Sequence, residues 1–321
     1  MNNNIYETGN EVIDLQIKAL KKLKNSIDIS FNKAVNAIVK CKSKVIVCGV
    51  GKSGKIASKI SATLSSVGSP SFSISASDCS HGDLGRITKN DLLILISNSG
   101  NTFELKNIIR YAKINRIQLI GIVSNKQSIL FRSANIKLLI PEVKESGLGI
   151  VPTSSTTMQL CLGDALAIAA MKQKNFSKLD FKKFHPGGIL GNKLKTASEI
   201  MLTDEKIPFI NENTIMKNAL EVLNSKKLGF LVVINNEGLN RGVFTDGDLK
   251  RIMRKKKFKD NYRIKQFITK KPFTVEKNTL ATEILKFMNK KKITNICVVS
   301  KENIKKTIGV IHIHNLISFL N

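Results

Sequence analysis

Val45-Ile46-Val47-Cys48-Gly49-Val50-Gly51-Lys52-Ser53-Gly54 is the stretch on which the fold turns. Four apolar residues of strand length run into a glycine turn, and positions 56–64 then carry apolar residues at helical spacing. The same alternation recurs, with apolar runs at 45–48, 72–74, 92–96, 119–123 and 136–140, most of them separated by helix-length segments such as 56–64 and 103–114. It predicts a five-stranded parallel sheet, doubly wound and flavodoxin-like, with helices on both faces. Residues 10–40 read as helices packing on that sheet, through Val12, Ile13, Leu15, Ile17, Leu20 and Leu23, then Phe31, Ala34, Val35 and Ile38.

Two further loops share the character of the first: Ser97-Asn98-Ser99-Gly100-Asn101-Thr102 and Pro152-Thr153-Ser154-Ser155-Thr156-Thr157. Each of the three opens a helical stretch, where unpaired amides and the dipole favour an anion. The first two follow strands, and ligands of open parallel sheets gather outside the carboxyl ends of strands. Three hydroxyl- and glycine-rich loops of this kind predict a phosphorylated, hydroxyl-rich ligand.

The 321 residues, 42% hydrophobic, suffice for two or three domains with proper cores. The first residues lack a basic and apolar leader, and no apolar run reaches the roughly 18 residues of a membrane span, so the expectation is a cytoplasmic protein with no membrane partner. Five scattered cysteines (Cys41, Cys48, Cys79, Cys161, Cys297) show no CxxC and no metal spacing, and read as reduced structural thiols. The formal charge of +28 suggests nucleic acid, but only 8 of the 52 basic residues are arginine and the lysines are dispersed. The runs at 255–257 and 290–292 read as solvated faces, and nucleic acid is not expected as a partner.

Past Gly191 a pattern repeats about 65 residues apart. Ala219-Leu220-Glu221-Val222-Leu223 matches Ala281-Thr282-Glu283-Ile284-Leu285, and Gly242-Val243-Phe244 matches Gly309-Val310-Ile311. A duplicated unit of this length packs against its twin, since neither half buries its apolar face alone. This half resembles a tandem pair of CBS domains, an α+β regulatory module that often binds nucleotides. Thr245 and Asp248 in Gly242-Val243-Phe244-Thr245-Asp246-Gly247-Asp248-Leu249 match that family's ribose-phosphate pair, which the second copy replaces with His312-Ile313-His314-Asn315. His312 and His314 lack a third ligand for a metal.

Gly49 to Gly54 fits G-x-G-x-x-G, but the acidic residue a dinucleotide fold places about 20 residues on is missing, since the next strand ends Ser73-Ile74-Ser75. The Walker A spacing fails as well, because position 46 is isoleucine. Lys52, inside a glycine turn at a strand end, is placed to meet phosphate or charge developing on a substrate oxygen. Glu104, in the first turn after the second loop, suits either the helix dipole or the base that moves a carbon-bound proton. His81 and His185 lie in glycine-rich loops, and an imidazole in such a place suits proton shuttling.

Gly51-Lys52-Ser53-Gly54, Gly68-Ser69-Pro70-Ser71-Phe72, His81-Gly82-Asp83-Leu84-Gly85, Ser97-Asn98-Ser99-Gly100, Pro152 to Thr157 and His185-Pro186-Gly187-Gly188 together resemble the arabinose-5-phosphate isomerase family, from about residue 10 onward. The resemblance implies an SIS (sugar isomerase) domain joined to two CBS domains: helices over 1–40, SIS over 41–195, and CBS repeats over 196–258 and 262–321. It implies interconversion of D-ribulose 5-phosphate and D-arabinose 5-phosphate, supplying the lipopolysaccharide sugar Kdo, in a homotetramer. Catalytic positions fall on Lys52, Glu104, Glu145 and His185. Substrate-binding positions fall on Ser53, Gly68, Ser69, His81, Ser97, Ser99, Thr102, Thr153, Ser154, Ser155 and Thr156. Thr245 and Asp248 mark a nucleotide or nucleotide-sugar site. No step is redox, so no cofactor is implied. The family often has a metal-associated histidine where this chain has Ser75, so no metal is implied either. The segment after Glu145 is one residue shorter than the family pattern and lacks its Cys-Pro. Two other readings stay open on sequence alone, a non-catalytic sugar-phosphate sensor and an isomerase of another phosphosugar.

Overall fold

A computed structural model describes residues 5–254 and 259–320, with the side chains of 188–190 left aside; the lysine run at 255–257 lies outside these residues. The chain forms two compact units, one ending at Phe184 and the other beginning at His185.

The first unit opens with α1 (Ile5–Ser26) and α2 (Ile29–Lys40), then alternates β1 (Val45–Gly49), α3 (Lys52–Ser66), β2 (Ser71–Ser75), α4 (Ala76–Cys79), β3 (Leu92–Ile96), α5 (Leu105–Ile114), β4 (Gln118–Val123), α6 (Ile129–Ser133), β5 (Ile136–Leu139), α7 (Ser154–Gln173) and α8 (Lys178–Phe184). All strand pairs are parallel, in the order β2-β1-β3-β4-β5. This is the predicted doubly wound sheet, and its strand order reverses between β1 and β3, where open α/β sheets bind ligands.

The pleat sorts side chains to two cores, as a sheet buried on both faces requires. Val45, Val47, Leu92, Ile94, Ile120 and Ile122 pack with α2, α3 and α7, whereas Ile46, Cys48, Leu93, Leu95 and Leu119 pack with α5 and α6. Burial pushes the Cys48 thiol up to about 12 and the Cys79 thiol up to about 11, so both behave as apolar filling.

One buried carboxylate fastens the amino ends of β1 and β3. Asp91, 3% exposed, accepts hydrogen bonds from Ser43 Oγ (2.6 Å), the Lys44 amide (3.3 Å), the Thr88 amide (2.7 Å) and Thr88 Oγ1 (2.9 Å), and faces Lys44 Nζ at 3.4 Å. Burial opposes its charge, but the bonds from Ser43, Thr88 and Lys44 outweigh that effect and hold the carboxyl below its ordinary range.

The second unit contains α9 (Gly188–Lys193), α10 (Ala197–Ile200) and two repeats: β6 (Phe209–Asn211), α11 (Met216–Lys226), β7 (Phe230–Ile234), β8 (Asn240–Thr245), α12 (Asp246–Arg254), then β9 (Thr274–Glu276), α13 (Ala281–Lys291), β10 (Asn295–Val299), β11 (Thr307–His312), α14 (Ile313–Leu320). Each repeat builds a three-stranded sheet with one parallel and one antiparallel pair, and the antiparallel register shifts at the same place in both, Val233/Ile234 and Val298/Val299. The repeats exchange lead-in segments, since Leu202 bridges Val310 and Thr269 bridges Val243. Ile207, Phe230, Val232, Cys297 and Val310 form the core they share. No helix among the described residues is long and apolar enough to cross a membrane.

Replacing Asp91 with alanine leaves four donors without their acceptor. Loss of charge-assisted hydrogen bonds of this kind costs about 2–3 kcal/mol. In a unit this size, calorimetry of Asp91→Ala should show a Tm lower by on the order of 5–10 °C.

Candidate active site

The rim begins at β1. A Cβ on Gly49 would lie 2.7 Å from the backbone carbon and oxygen of Ser53, so the strand end and the start of α3 touch main chain to main chain. Gly51, at φ +58 and ψ −121, makes the turn that an L side chain resists, and α3 starts one residue later at Lys52. The first amides of α3 lack intrahelical acceptors and open toward the rim.

The loop after β3 holds itself together. Ser97 Oγ and Thr102 Oγ1 share a hydrogen at 2.7 Å, the Gly100 amide donates to Ser97 Oγ (2.9 Å), and the Asn101 amide donates to Ser99 Oγ (3.3 Å). The Asn98 carbonyl accepts from the Ser124 amide (2.9 Å) and hydroxyl (2.7 Å), which ties the loop to β4. Glu104 is the N-cap residue of α5 with helical dihedrals and makes no side-chain cap bond. Because Gly49 and Ile96 are register partners, the loops bearing Lys52 and Glu104 leave neighbouring strand ends on either side of the point where strand order reverses. Neither side chain has a hydrogen-bonding or ionic partner among the described residues.

Glu145 is the opposite case. It precedes a tight hairpin in which Ser146 bridges Val151 and residues 147–149 all take positive φ, leaving Leu148 98% exposed. The hairpin folds the carboxylate back onto α7, where it accepts from the Thr153 amide (2.8 Å), the Ser154 amide (2.8 Å), the Ser155 amide (3.3 Å) and Thr153 Oγ1 (3.2 Å). Burial raises its pKa, but the bonds from Ser155, Thr153 and Ser154 together outweigh this, so the carboxyl sits below its ordinary value. The anion expected at the 153–156 amides is therefore an internal carboxylate, and Thr156 Oγ1 turns to the Thr153 carbonyl (2.9 Å).

A residue the sequence reading missed joins α3 to α7. Gln159, 0% exposed, accepts from Ser53 Oγ at 3.1 Å, and its Nε2 has no hydrogen-bond partner among the described residues. Its one signal in the sequence is a polar side chain amid the apolar residues of Met158-Gln159-Leu160-Cys161-Leu162. The Ser154 and Ser146 hydroxyls are also buried without partners among the described residues.

The remaining predicted residues are dispersed. His81 is exposed in the connection beyond β2, with its amide on the Asp78 carbonyl (2.9 Å), and the neighbouring Ser80 hydroxyl accepts from Asn107 of α5 (3.3 Å). Ser75 caps α4 by accepting from the Asp78 amide at 3.4 Å. Gly68 and Ser69 do not reach the rim, because they precede β2 and so sit at the amino edge of the sheet; the Gly68 carbonyl (3.1 Å) and Ser69 Oγ (2.8 Å) accept from Lys174 Nζ at the end of α7. His185 belongs to the second unit, as its first residue. Thr245 and Asp248 are there too, with Asp248 Oδ2 accepting from the Thr245 amide (2.9 Å) and hydroxyl (2.7 Å).

A parallel α/β sheet with glycine- and hydroxyl-rich loops at its switch point, followed by a duplicated α+β unit, is the architecture of a sugar isomerase domain joined to a CBS pair. The SIS domain profile matches residues 37–169 and the CBS domain profile matches 197–255 and 264–321. The chain is 42% identical over 312 residues to arabinose 5-phosphate isomerase KdsD of Francisella tularensis, covering 96% of this chain and 94% of the relative. It is 37% identical over 313 residues to arabinose 5-phosphate isomerase KdsD of Yersinia pestis, covering 97% and 94%. Among solved structures, an E. coli CFT073 protein in complex with arabinose 5-phosphate superposes with a TM-score of 0.56 at 36% identity, over 58% of this chain and all of that one. The chain belongs to the arabinose-5-phosphate isomerase family and is an isomerase.

The Glu145 cap predicts a sign for acid sensitivity. A carboxylate whose folded pKa is lowered stabilises above its unfolded value and loses that contribution as pH falls through the folded one. Glu145→Gln should melt below the parent protein at pH 7, and the gap should close as pH drops below about 4.5. A gap unchanged between pH 7 and 3 would mean the charge of Glu145 does not hold α7.

Proposed function

We propose that the protein interconverts D-ribulose 5-phosphate and D-arabinose 5-phosphate through an enediol. The observation that carries this reading is the pair of unengaged charges, Lys52 and Glu104, on neighbouring loops at the sheet's switch point in a chain of this family. Moving a proton between C1 and C2 requires a base at carbon, a group for hydroxyl protons and a cation for the developing enediolate. Glu104 is the base, and Lys52 meets the enediolate oxygen. Phosphate is taken by the loop of Ser97, Ser99 and Thr102 and by the first amides of α3.

Three assignments change in the light of the geometry. Ser53 acts as a support, because its hydroxyl hydrogen points to Gln159. Glu145 is a positioning residue rather than a base, since a carboxylate held by four donors with a lowered pKa is a weak proton acceptor. Thr153, Ser154 and Ser155 act with it, as the scaffold that sets α7. His185 keeps the role the resemblance gives it, ring opening or transfer of oxygen-bound protons, and His81 a place at the substrate.

On this reading the enzyme works in the cytoplasm as a homotetramer, its product supplies Kdo for lipopolysaccharide, and the CBS pair tunes turnover in response to a nucleotide or nucleotide-sugar. The relatives' names and the arabinose 5-phosphate in the E. coli complex support the substrate.

The test is isomerisation of D-arabinose 5-phosphate by the purified protein, beside glucose 6-phosphate and ribose 5-phosphate. D-Arabinose 5-phosphate should be turned over selectively. Lys52→Ala should lower kcat about 100-fold or more, as removal of an oxyanion partner does. Glu104→Gln should lower it by a similar or larger factor, in line with loss of a general base. Near-normal turnover by Glu104→Gln would move the carbon base elsewhere, and selective turnover of another substrate would change the phosphosugar.

A further inference from the structure

Gln159 is fully buried in α7 and shares a face of that helix with Leu162, Gly163 and Leu166. A leucine would fill such a place and leave no polar atom unmatched. The glutamine hides an amide nitrogen, Nε2, that has no acceptor among the described residues. Buried donors without partners are rarer in folded proteins than buried acceptors without them, and each asks for a reason. Ser53, to which the amide is bonded, is only partly buried, in the first turn of α3 beside Lys52 and among the amides that open toward the rim.

The two helices have little freedom to relieve this mismatch. One turn further along α7, a Cβ on Gly163 would lie 2.3 Å from Ile60 Cδ1 and Cγ1, so α3 packs hard against that position. The next residue, Asp164, pairs with Lys59 of α3. What stays free is the last torsion of Gln159, which is broad and close to two-fold in its preferences. Half a turn about it exchanges Oε1 and Nε2. In the arrangement observed, Ser53 Oγ donates to Oε1 at 3.1 Å and Nε2 goes unmatched. In the turned arrangement Nε2 donates to Ser53 Oγ, Oε1 goes unmatched, and the hydroxyl hydrogen of Ser53 is released, since a hydroxyl accepts and donates at once. Each arrangement keeps one bond and leaves one amide atom unmatched, so neither is strongly preferred until a group at the rim distinguishes them.

We propose that Gln159 is a positioning residue for the substrate's phosphate. With phosphate at the first turn of α3 the amide turns over, Nε2 supports Ser53 Oγ, and the freed hydroxyl hydrogen goes to a phosphate oxygen. A phosphate dianion only accepts hydrogen bonds, so it binds the turned arrangement better than the observed one and draws the pair toward it. The inference rests on the reading of the rim as a phosphosugar site and adds to it the step by which Ser53 passes from support to ligand contact. It also accounts for the residue type. Leucine offers Ser53 no bond, and an ionised glutamate only accepts, which would keep the hydroxyl hydrogen from the phosphate.

Calorimetric titration of the full-length protein with inorganic phosphate, beside KM and kcat for D-arabinose 5-phosphate, tests this. Gln159→Glu keeps the acceptor that the observed bond needs and removes the donor that the turned one needs. At alkaline pH it should weaken phosphate by about 10-fold or more, the factor that one hydrogen bond to a charged group supplies. The loss should appear in KM rather than in kcat, and the gap to the parent should narrow as acid gives the carboxyl a proton to donate. Ser53→Ala should lose a similar factor. The double variant Ser53→Ala/Gln159→Glu should bind no more weakly than Ser53→Ala, whereas simple repulsion by the new charge would persist without the hydroxyl. Gln173→Leu, which breaks an exposed hydrogen bond at the far end of α7, should stay within about 2-fold of the parent. Phosphate affinity of Gln159→Glu close to the parent's at alkaline pH means a fixed clasp and overturns the inference, as does an additive loss in the double variant. If Gln159→Glu does not fold, Ser53→Ala decides, and affinity close to the parent's overturns the inference. The expected pattern in a protein that turns over no phosphosugar removes the proposed reaction and leaves the inference standing. No binding of phosphate or of D-arabinose 5-phosphate by the parent overturns both.

Discussion

The site depends on the lateral fixing of two strands. Lys52 and Glu104 hang from the carboxyl ends of β1 and β3, and at the other end of those strands Asp91 gathers donors from both lead-in segments. A one-residue slip of either strand would exchange its two buried faces. Asp91, held by four donors, ties the two lead-in segments together at the edge opposite those loops.

The rest of the rim shows a division between charges that are used up and charges that are free. Glu145 neutralises the N-terminus of α7 from within the chain, whereas Lys52 and Glu104 stay without partners among the described residues. Preorganised polar groups stabilise a transition state because they need no rearrangement when charge develops. The hydrogen bonds inside the 97–102 loop, the Ser53–Gln159 bond and the Glu145 cap hold the loops of the rim in place. The unpartnered Nε2 of Gln159 fits the pattern in which local costs persist near functional sites.

Much of this was legible in the sequence because it is periodic. The strands at 45–48 and 92–96 read as continuous apolar runs, and Gly49-x-Gly51 marked the turn where backbone must approach backbone. The repeats of the second half announced themselves by self-similarity alone. What stayed hidden depends on side-chain direction. That Glu145 reaches forward to the amides of 153–155 follows from three successive left-handed residues, two of which, Gly147 and Gly149, were visible while Leu148 was not. Gly68 and Ser69 carried a family motif, yet chain direction puts them at the amino edge of β2, where they dock the end of α7.

The packing of α1 and α2 against α7 has a consequence for how the chain is made. Thr157 Oγ1 donates to Gln16, and Gln173 Nε2 donates to Asn36, so contacts span more than 130 residues. A ribosome delivers α1, α2 and the whole sheet before α7 emerges, and until then one apolar face, including Ile94, Ile120 and Ile122, has no cover from α7. The nascent first unit therefore has that face covered only by α1, α2 and α3 until residues 154–173 arrive.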